Sequence, residues 1–395
     1  MNWPRSHLAD HCEVITKGTT PTTLGFDFSD SGIPFLRVQN VDSGRVNFDR
    51  DTLFINEKTH SALERSQIRP GDVLVSIAGT IGRAGVVPDI APALNCNQAL
   101  AIVRTKNGIF RPFLRHWLES ADAQTQMRGA TVTGTISNLS LTQVGNLNVP
   151  LPPLPEQRRI AEVLDRAEAL RAKRRAALAQ LDTLTQSIFL DLFGDPATNP
   201  KGWPVGQIGE LVESASYGTS EKSGPAGQFP VLRMNNITRA GEMDLADLKF
   251  MDLPAAQHER YLVRVGDVLF NRTNSAELVG KTAIVLDPKP MAFAGYLVRL
   301  RVDNRNDPEY LAAFLNTAYA KKMLRGMCKS IIGMANINAT EIQKMKIPKP
   351  PLDRQRVFTR YLGAVRVLRA SHRASLAKLD ALFASLQHRA FRGEL

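Results

Sequence analysis

Across two long stretches of the chain, apolar residues recur every three or four positions. The first set is Ile160, Val163, Ala167, Leu170, Leu178, Leu181, Leu184, Ile188 and Leu192. The second is Phe358, Leu362, Val365, Leu368, Leu376, Leu379, Leu382, Leu386 and Ala390. This spacing puts one apolar seam along each of two helices, the coiled-coil pattern. Prolines crowd the start of both, where a first helical turn leaves N–H groups unpaired in any case. From Glu156 to Phe193 neither glycine nor proline interrupts the first helix. Roughly 38 residues at ~1.5 Å each predict a rod of about 57 Å.

The two stretches are copies. Pro150-Leu151-Pro152-Pro153-Leu154-Pro155-Glu156-Gln157-Arg158 opens one, and Pro348-Lys349-Pro350-Pro351-Leu352-Asp353-Arg354-Gln355-Arg356 opens the other. A constant offset of 198 residues pairs Gln157 with Gln355, Leu164 with Leu362 and Leu170 with Leu368. A period this long marks a duplicated domain, not a short solenoid repeat. The segments ahead of the helices repeat as well. Trp3-Pro4 matches Trp203-Pro204, and Gly18-Thr19 matches Gly218-Thr219. Phe35-Leu36-Arg37-Val38-Gln39-Asn40-Val41 resembles Val231-Leu232-Arg233-Met234-Asn235-Asn236-Ile237. Arg69-Pro70-Gly71-Asp72-Val73-Leu74 resembles Arg264-Val265-Gly266-Asp267-Val268-Leu269.

These repeated segments read as α+β domains. Apolar runs at 72–77, 99–103, 283–286 and 297–302, bounded by Gly, Pro, Asn and Asp, predict strands. One amphipathic helix is predicted in each, over 113–127 and 309–323. The chain therefore divides into a globular domain 1–149, a helical region 150–194, a second globular domain 195–346 and a second helical region 347–395. If the seams pack on each other, the second helix runs back along the first. The pair is then antiparallel and relates the two domains by a pseudo-twofold axis. The domains share a frame but differ at one tip. Gly79-Thr80-Ile81-Gly82-Arg83-Ala84-Gly85 follows the Gly-Asp-Val-Leu strand in the first, and Asn271-Arg272-Thr273-Asn274-Ser275 follows it in the second.

Charge narrows the partners. The net charge is +12 over 395 residues, which favours a polyanion. It is uneven: residues 1–150 carry 14 basic and 13 acidic groups, and residues 346–395 carry 11 and 3. The excess on the second helix, in Arg354, Arg356, Arg360, Arg366, Arg369 and Arg373, suits either DNA phosphates or an acidic partner. Three scattered cysteines, Cys12, Cys96 and Cys328, point to reduced thiols in a cytoplasm, and no apolar run is long enough to span a membrane. Catalytic patterns are missing. Glycines at 79, 82 and 85 match neither a dinucleotide fingerprint nor a P-loop. His7, His11 and Cys12 have no second ligand pair at zinc spacing, and no G-x-S-x-G elbow occurs. Asn199-Pro200 is followed by Lys-Gly rather than by the Pro-aromatic of an adenine-methyltransferase loop.

The arrangement resembles the specificity subunit of type I restriction–modification systems. The residues that carry it are Pro152-Pro153-Leu154-Pro155-Glu156-Gln157-Arg158, the helix 160–193, Gly71-Asp72-Val73-Leu74 and the closing Ala390-Phe391-Arg392-Gly393-Glu394-Leu395. The resemblance covers the whole chain. It implies two target-recognition domains separated by paired helices and a bipartite, asymmetric site on double-stranded DNA. It also implies two modification (methyltransferase) subunits and restriction/translocase subunits as partners. S-adenosylmethionine, ATP and Mg are expected on those partners only, with no cofactor, metal or catalytic residue here. Asp353-Arg354 stands where the first copy has Pro155-Glu156, a departure that touches only cap geometry. Recognition domains vary freely in this family, so no target sequence is implied.

Base-edge readers are sought among polar residues at turns, because Arg suits guanine and Asn or Gln suits adenine. In the first domain these are Arg37, Gln39, Asn40, Thr80, Arg83, Arg128, Thr131, Thr133 and Asn138. In the second they are Arg233, Asn235, Asn236, Asn271, Arg272, Asn274, Lys329 and Asn338. Any of them could instead cap a turn. A second reading, a coiled-coil adaptor that binds proteins without reading bases, stays open at this point.

Overall fold

A computed structural model describes residues 3–49, 51–130, 138–275, 277–331 and 334–395. The chain forms two compact units, Met1–Arg174 with Ser375–Leu395, and Arg175–Ala374. Both divisions fall inside the two long helices, Leu154–Phe193 and Leu352–Ala390, so each helix begins in one unit and ends in the other. No helix among the described residues is long and apolar enough to cross a membrane.

The first unit closes with Arg5–His7 paired antiparallel to Asn148–Pro150. Its six-stranded sheet runs Cys12–Lys17, Leu100–Thr105, Val73–Ser76, Ala84–Val86, Gly44–Val46, Val41–Asp42. Ile33–Leu36 lies parallel to Leu94–Cys96 in a second sheet of four strands. The second unit follows the same plan. Val205–Gln207 pairs with Lys346–Pro348, and a sheet runs Val212–Tyr217, Leu297–Val302, Val268–Asn271, Thr282–Ile284. Phe229–Leu232 lies parallel to Ala292–Phe293.

The repeated motifs now have physical roles. Val73–Ser76 and Val268–Asn271 are buried at every position, as central strands covered on both faces are. The aspartate ahead of each locks the turn that launches it. Asp72 accepts from the Arg69 N–H at 2.7 Å and from Nε and Nη2 of Arg104 at 2.8 and 2.7 Å. Asp267 accepts from the Arg264 N–H at 2.8 Å and from the same two atoms of Arg301 at 2.9 and 3.0 Å. The glutamine of each proline-rich opening ties its helix to the preceding domain. Gln157 donates to the Pro152 and Gly108 carbonyls and accepts from the Phe110 N–H at 2.8 Å. Gln355 donates to the Pro350 carbonyl and accepts from the Asp307 N–H at 2.8 Å.

Each domain also holds the end of the other long helix. In the first unit, Phe391 packs edge-on against Phe113 at 5.4 Å, and the Trp3 indole donates to the Ala390 carbonyl at 2.8 Å. In the second, Phe189 stacks on Tyr310 at 5.7 Å, and the Trp203 indole donates to the Phe193 carbonyl at 3.0 Å. The helices are antiparallel within each unit. Arg171 meets Asp380 at 2.6 Å while Arg159, nearer the start, meets the Leu395 carbonyl at 3.0 Å. Arg369 donates to the Leu181 carbonyl at 2.9 Å, and Phe358 packs on the later Phe189.

Three expectations are corrected. Each predicted amphipathic helix is two: Arg111–Leu118 and Ala121–Ala130, then Pro308–Leu315 and Ala318–Met327. Ser120 and Thr317 break them, because their hydroxyls accept from Ala123 and Ala320 N–H groups and cap the next helix. The seam is narrower than its period suggests. Leu170, Leu184, Leu368 and Leu382 are 52, 38, 47 and 50% exposed, so they lie off the packed stripe. The arginines of the second helix are partly spent. Arg366 makes a two-bond pair with Glu309 at 2.6 Å, and both Arg369 and Arg373 pair with Glu242.

Candidate DNA-reading loops

The tips that differ in sequence stand on identical necks. In the second domain the Asn271 N–H donates to the Lys281 carbonyl and the Gly280 N–H to the Asn271 carbonyl, both at 2.8 Å. These bonds close a loop over 272–279. In the first domain the Ser76 N–H donates to the Arg83 carbonyl and the Gly82 N–H to the Ser76 carbonyl, both at 2.9 Å. They close a shorter loop over 77–81. Gly82 and Gly280 sit at φ +86° and +81°, the left-handed region that favours glycine. A Cβ at Gly82 would also stand 2.3 Å from the Gln124 amide, so a side chain there would push that amide aside.

A third segment backs each neck. The Leu139 N–H donates to the Ile77 carbonyl at 2.9 Å, and the Ile337 N–H to the Arg272 carbonyl at 3.0 Å. In the second domain Thr273–Asn274 further pairs with Met334–Asn336. Arg272 lies over the Tyr217 ring at 4.8 Å, and the Tyr217 hydroxyl accepts from the Ala339 N–H at 2.9 Å. Lys281 then binds the turn at 234–237, donating to the Met234 and Ile237 carbonyls at 2.8 and 2.5 Å. Burial, then the charge of Arg239, lowers the Lys281 pKa. Thus 233–237, 271–275 with 280–281, and 334–338 are tied together in the second domain. A loop with Arg, Asn, Thr and Ser on a rigid neck can present donors and acceptors to base edges.

A model of the type I restriction modification DNA specificity domain matches residues 1–180 and again 200–379. The chain belongs to that family of specificity subunits. The EcoKI specificity subunit of Escherichia coli K12 is 25% identical over 392 residues, covering 93% of this chain and 83% of that protein. The StySPI specificity subunit of Salmonella potsdam is 23% identical, again covering 93% and 83%. A solved chain from a study of type I R-M complex assembly superposes with a TM-score of 0.61 at 21% identity, covering 100% of this chain and 98% of that one. The S subunit from M. genitalium gives 0.59 at 14% identity, covering 99% and 96%, and supports the same fold. The adaptor reading without a DNA role is set aside by this membership.

Within this specificity subunit the nominated readers separate by exposure. Gln39, Thr80, Arg128, Asn138 and Asn235 are exposed, and Arg83, Arg272, Asn274 and Asn338 are half-buried. Thr131 and Thr133 lie outside the described residues, as does the side chain of Lys329. Asn40, Asn236 and Asn271 are corrected: all three are buried. Asn40 and Asn236 accept from the Arg37 and Arg233 N–H groups at 2.8 Å and pin their turns. Arg37 and Arg233 reach across those turns to the carbonyls of Asp51 and Asp247 at 2.8 and 3.0 Å, so they are half-committed to the frame. Asn338 caps Ala339–Gln343 by accepting from the Glu341 N–H at 2.8 Å. Sequence reasoning missed Lys281 and Tyr217. Lys281 stands 198 residues after the nominated Arg83, so the repeat itself carried the signal.

His116, Asp165 and Glu168 form the one group among the described residues that could surround a metal ion. The Arg115 guanidinium already bridges Asp165 and Glu168 at 2.9 and 2.7 Å. Burial lowers the His116 pKa against the raising effect of its bond to Asp165. Positive charge is thus supplied by the chain, and the cluster reads as a lock between the first domain and its helix.

Proposed function

We propose that this specificity subunit reads a bipartite, asymmetric site on double-stranded DNA, one element with each target-recognition domain. The observation that carries this is the shared neck with unlike tips, 77–81 against 272–279, whose backbone bonds match while their residues do not. A common frame with different side chains reads different base edges. The subunit performs no catalytic step in this reading. It holds two modification subunits, which bind S-adenosylmethionine and methylate adenine, and restriction/translocase subunits, which use ATP and Mg, in a cytoplasm.

Support for two copies of one partner comes from the helices. Leu170 and Leu368 are equivalent at an offset of 198, as are Leu184 and Leu382, and all four are exposed. The same apolar residues presented twice fit the same subunit bound twice. The test is adenine-methylation mapping of the host genome with and without this gene. Loss of one split, non-palindromic motif on deletion is expected. An unchanged methylation map in a strain that expresses the whole system overturns the reading.

A further inference from the structure

The neck of each reading loop is gripped from below by one side chain of the helix beneath it. In the first domain Gln124, on Ala121–Ala130, donates through Nε2 to the Gly82 carbonyl at 3.0 Å and to the Leu118 carbonyl at 2.8 Å. In the second domain Lys321, on Ala318–Met327, donates through Nζ to the Gly280 carbonyl and, at 2.9 Å, to Asn316 Oδ1. Gly82 and Gly280 are equivalent, each being the residue that closes its loop. Asn316 is itself oriented by donating to the Thr282 and Ala312 carbonyls at 2.8 and 3.0 Å. So one grip is a neutral amide and the other a cation.

We propose that Lys321, acting through the Gly280 carbonyl, is the positioning residue of the second reading loop and Gln124 that of the first. The inference rests on the reading of the loops as DNA readers, and adds that the two elements are held by chemically different devices. The charged groups that face Lys321 are Arg325 on its own helix and Lys281 on the neck strand. No carboxylate pairs with it among the described residues. Burial first, then these two cations, push its pKa from 10.5 down to about 8. Below that pH the bond to Gly280 is charge-assisted, and roughly twice as strong as a neutral one. Above it the ammonium loses its proton and the grip weakens, while Gln124 does not titrate.

Stability moves the other way. Between about 8 and 10.5 the unfolded chain binds the extra proton, so this group makes the fold more stable as pH rises through that window. A loss of reading over the same window is therefore not caused by destabilisation through this group.

The experiment uses the full chain with its modification subunits and three duplexes: the mapped motif, and versions with either element replaced. The ratio of binding constants gives the discrimination at each element. In the wild-type complex, discrimination at the second domain's element is expected to fall about fivefold from pH 7 to 9, and that at the first to stay within about twofold. Lys321→Met is expected to cost about tenfold at the second element only, at pH 7. Lys321→Gln, which restores a neutral donor, should keep most discrimination and flatten the pH profile. Gln124→Lys should bring a pH dependence to the first element. Equal losses at both elements overturn the proposal, as does full discrimination at the second element by Lys321→Met at pH 7. If the complex binds no split motif at all, the function proposed above fails. If it does and the Lys321 variants behave as wild type, only the positioning role fails.

Discussion

At the residue scale, the duplicated sequence mostly preserves scaffolding. Asp72 and Asp267 are buried, and each holds an arginine from the neighbouring strand by two bonds. Removing one partner of a buried, hydrogen-bonded pair strands the other charge, at a cost of about 3 kcal/mol or more. Asp72→Ala and Asp267→Ala should each destabilise their own unit by about that amount in urea denaturation. A change under about 0.5 kcal/mol would place the lock elsewhere. By contrast, Gln39→Ala and Asn235→Ala, at exposed turn residues, should leave the urea midpoint unmoved and shift binding to one DNA element.

Among the elements, the first long helix is the covalent path from one globular domain to the next. It passes between the compact units at Arg174/Arg175, and it holds no internal glycine, whereas Gly363 lies inside the second helix. Repeating four residues after Ala179 adds ~6 Å and leaves ~40° of net rotation, given ~3.6 residues per turn. Four residues act as a stutter, so the apolar stripe survives with local unwinding. One base pair of B-form DNA advances ~3.4 Å and turns about 35°. Rotation asks for one more base pair and length for nearly two. A residual few ångströms is absorbed by the loop 194–204 more cheaply than a misrotated reader. The DNA spacer is therefore expected to grow by one base pair, with two as the next outcome. Methylation mapping of the insertion variant reads it directly, and an unchanged spacer at full activity would refute the ruler.

For the whole molecule, modularity has a condition that the repeat alone does not reveal. The first unit includes 375–395 as well as the first domain. Trp3 holds the Ala390 carbonyl, Phe113 holds Phe391, and Gln387 donates to the His116 carbonyl at 3.1 Å. Replacing residues 1–145 with a related domain should change one half of the methylated motif and leave the other. It should do so only when the incoming domain keeps an indole at 3 and an aromatic ring at 113 to seat the C-terminal helix. A swap that altered both halves of the motif would contradict independent readers.

The sequence by itself determined the duplication, the two long helices, the α+β plan and the family resemblance. Each depends on patterns that local physics writes into order and spacing: helical period, proline at a first turn, strand punctuation and a repeat at a fixed offset. Tertiary structure alone decided which polar turn residues face outward. Asn40 and Asn235 look alike in the chain, yet one is buried holding a backbone N–H and the other is exposed. The same holds for the leucines of the seam and for the arginines of the second helix. Which stripe of a helix is covered, and which cation meets a carboxylate, depends on groups distant in sequence. Lys321 and Gln124 make the point most sharply. Nothing within their own helices marks them, and their roles exist only because a loop neck folds onto each.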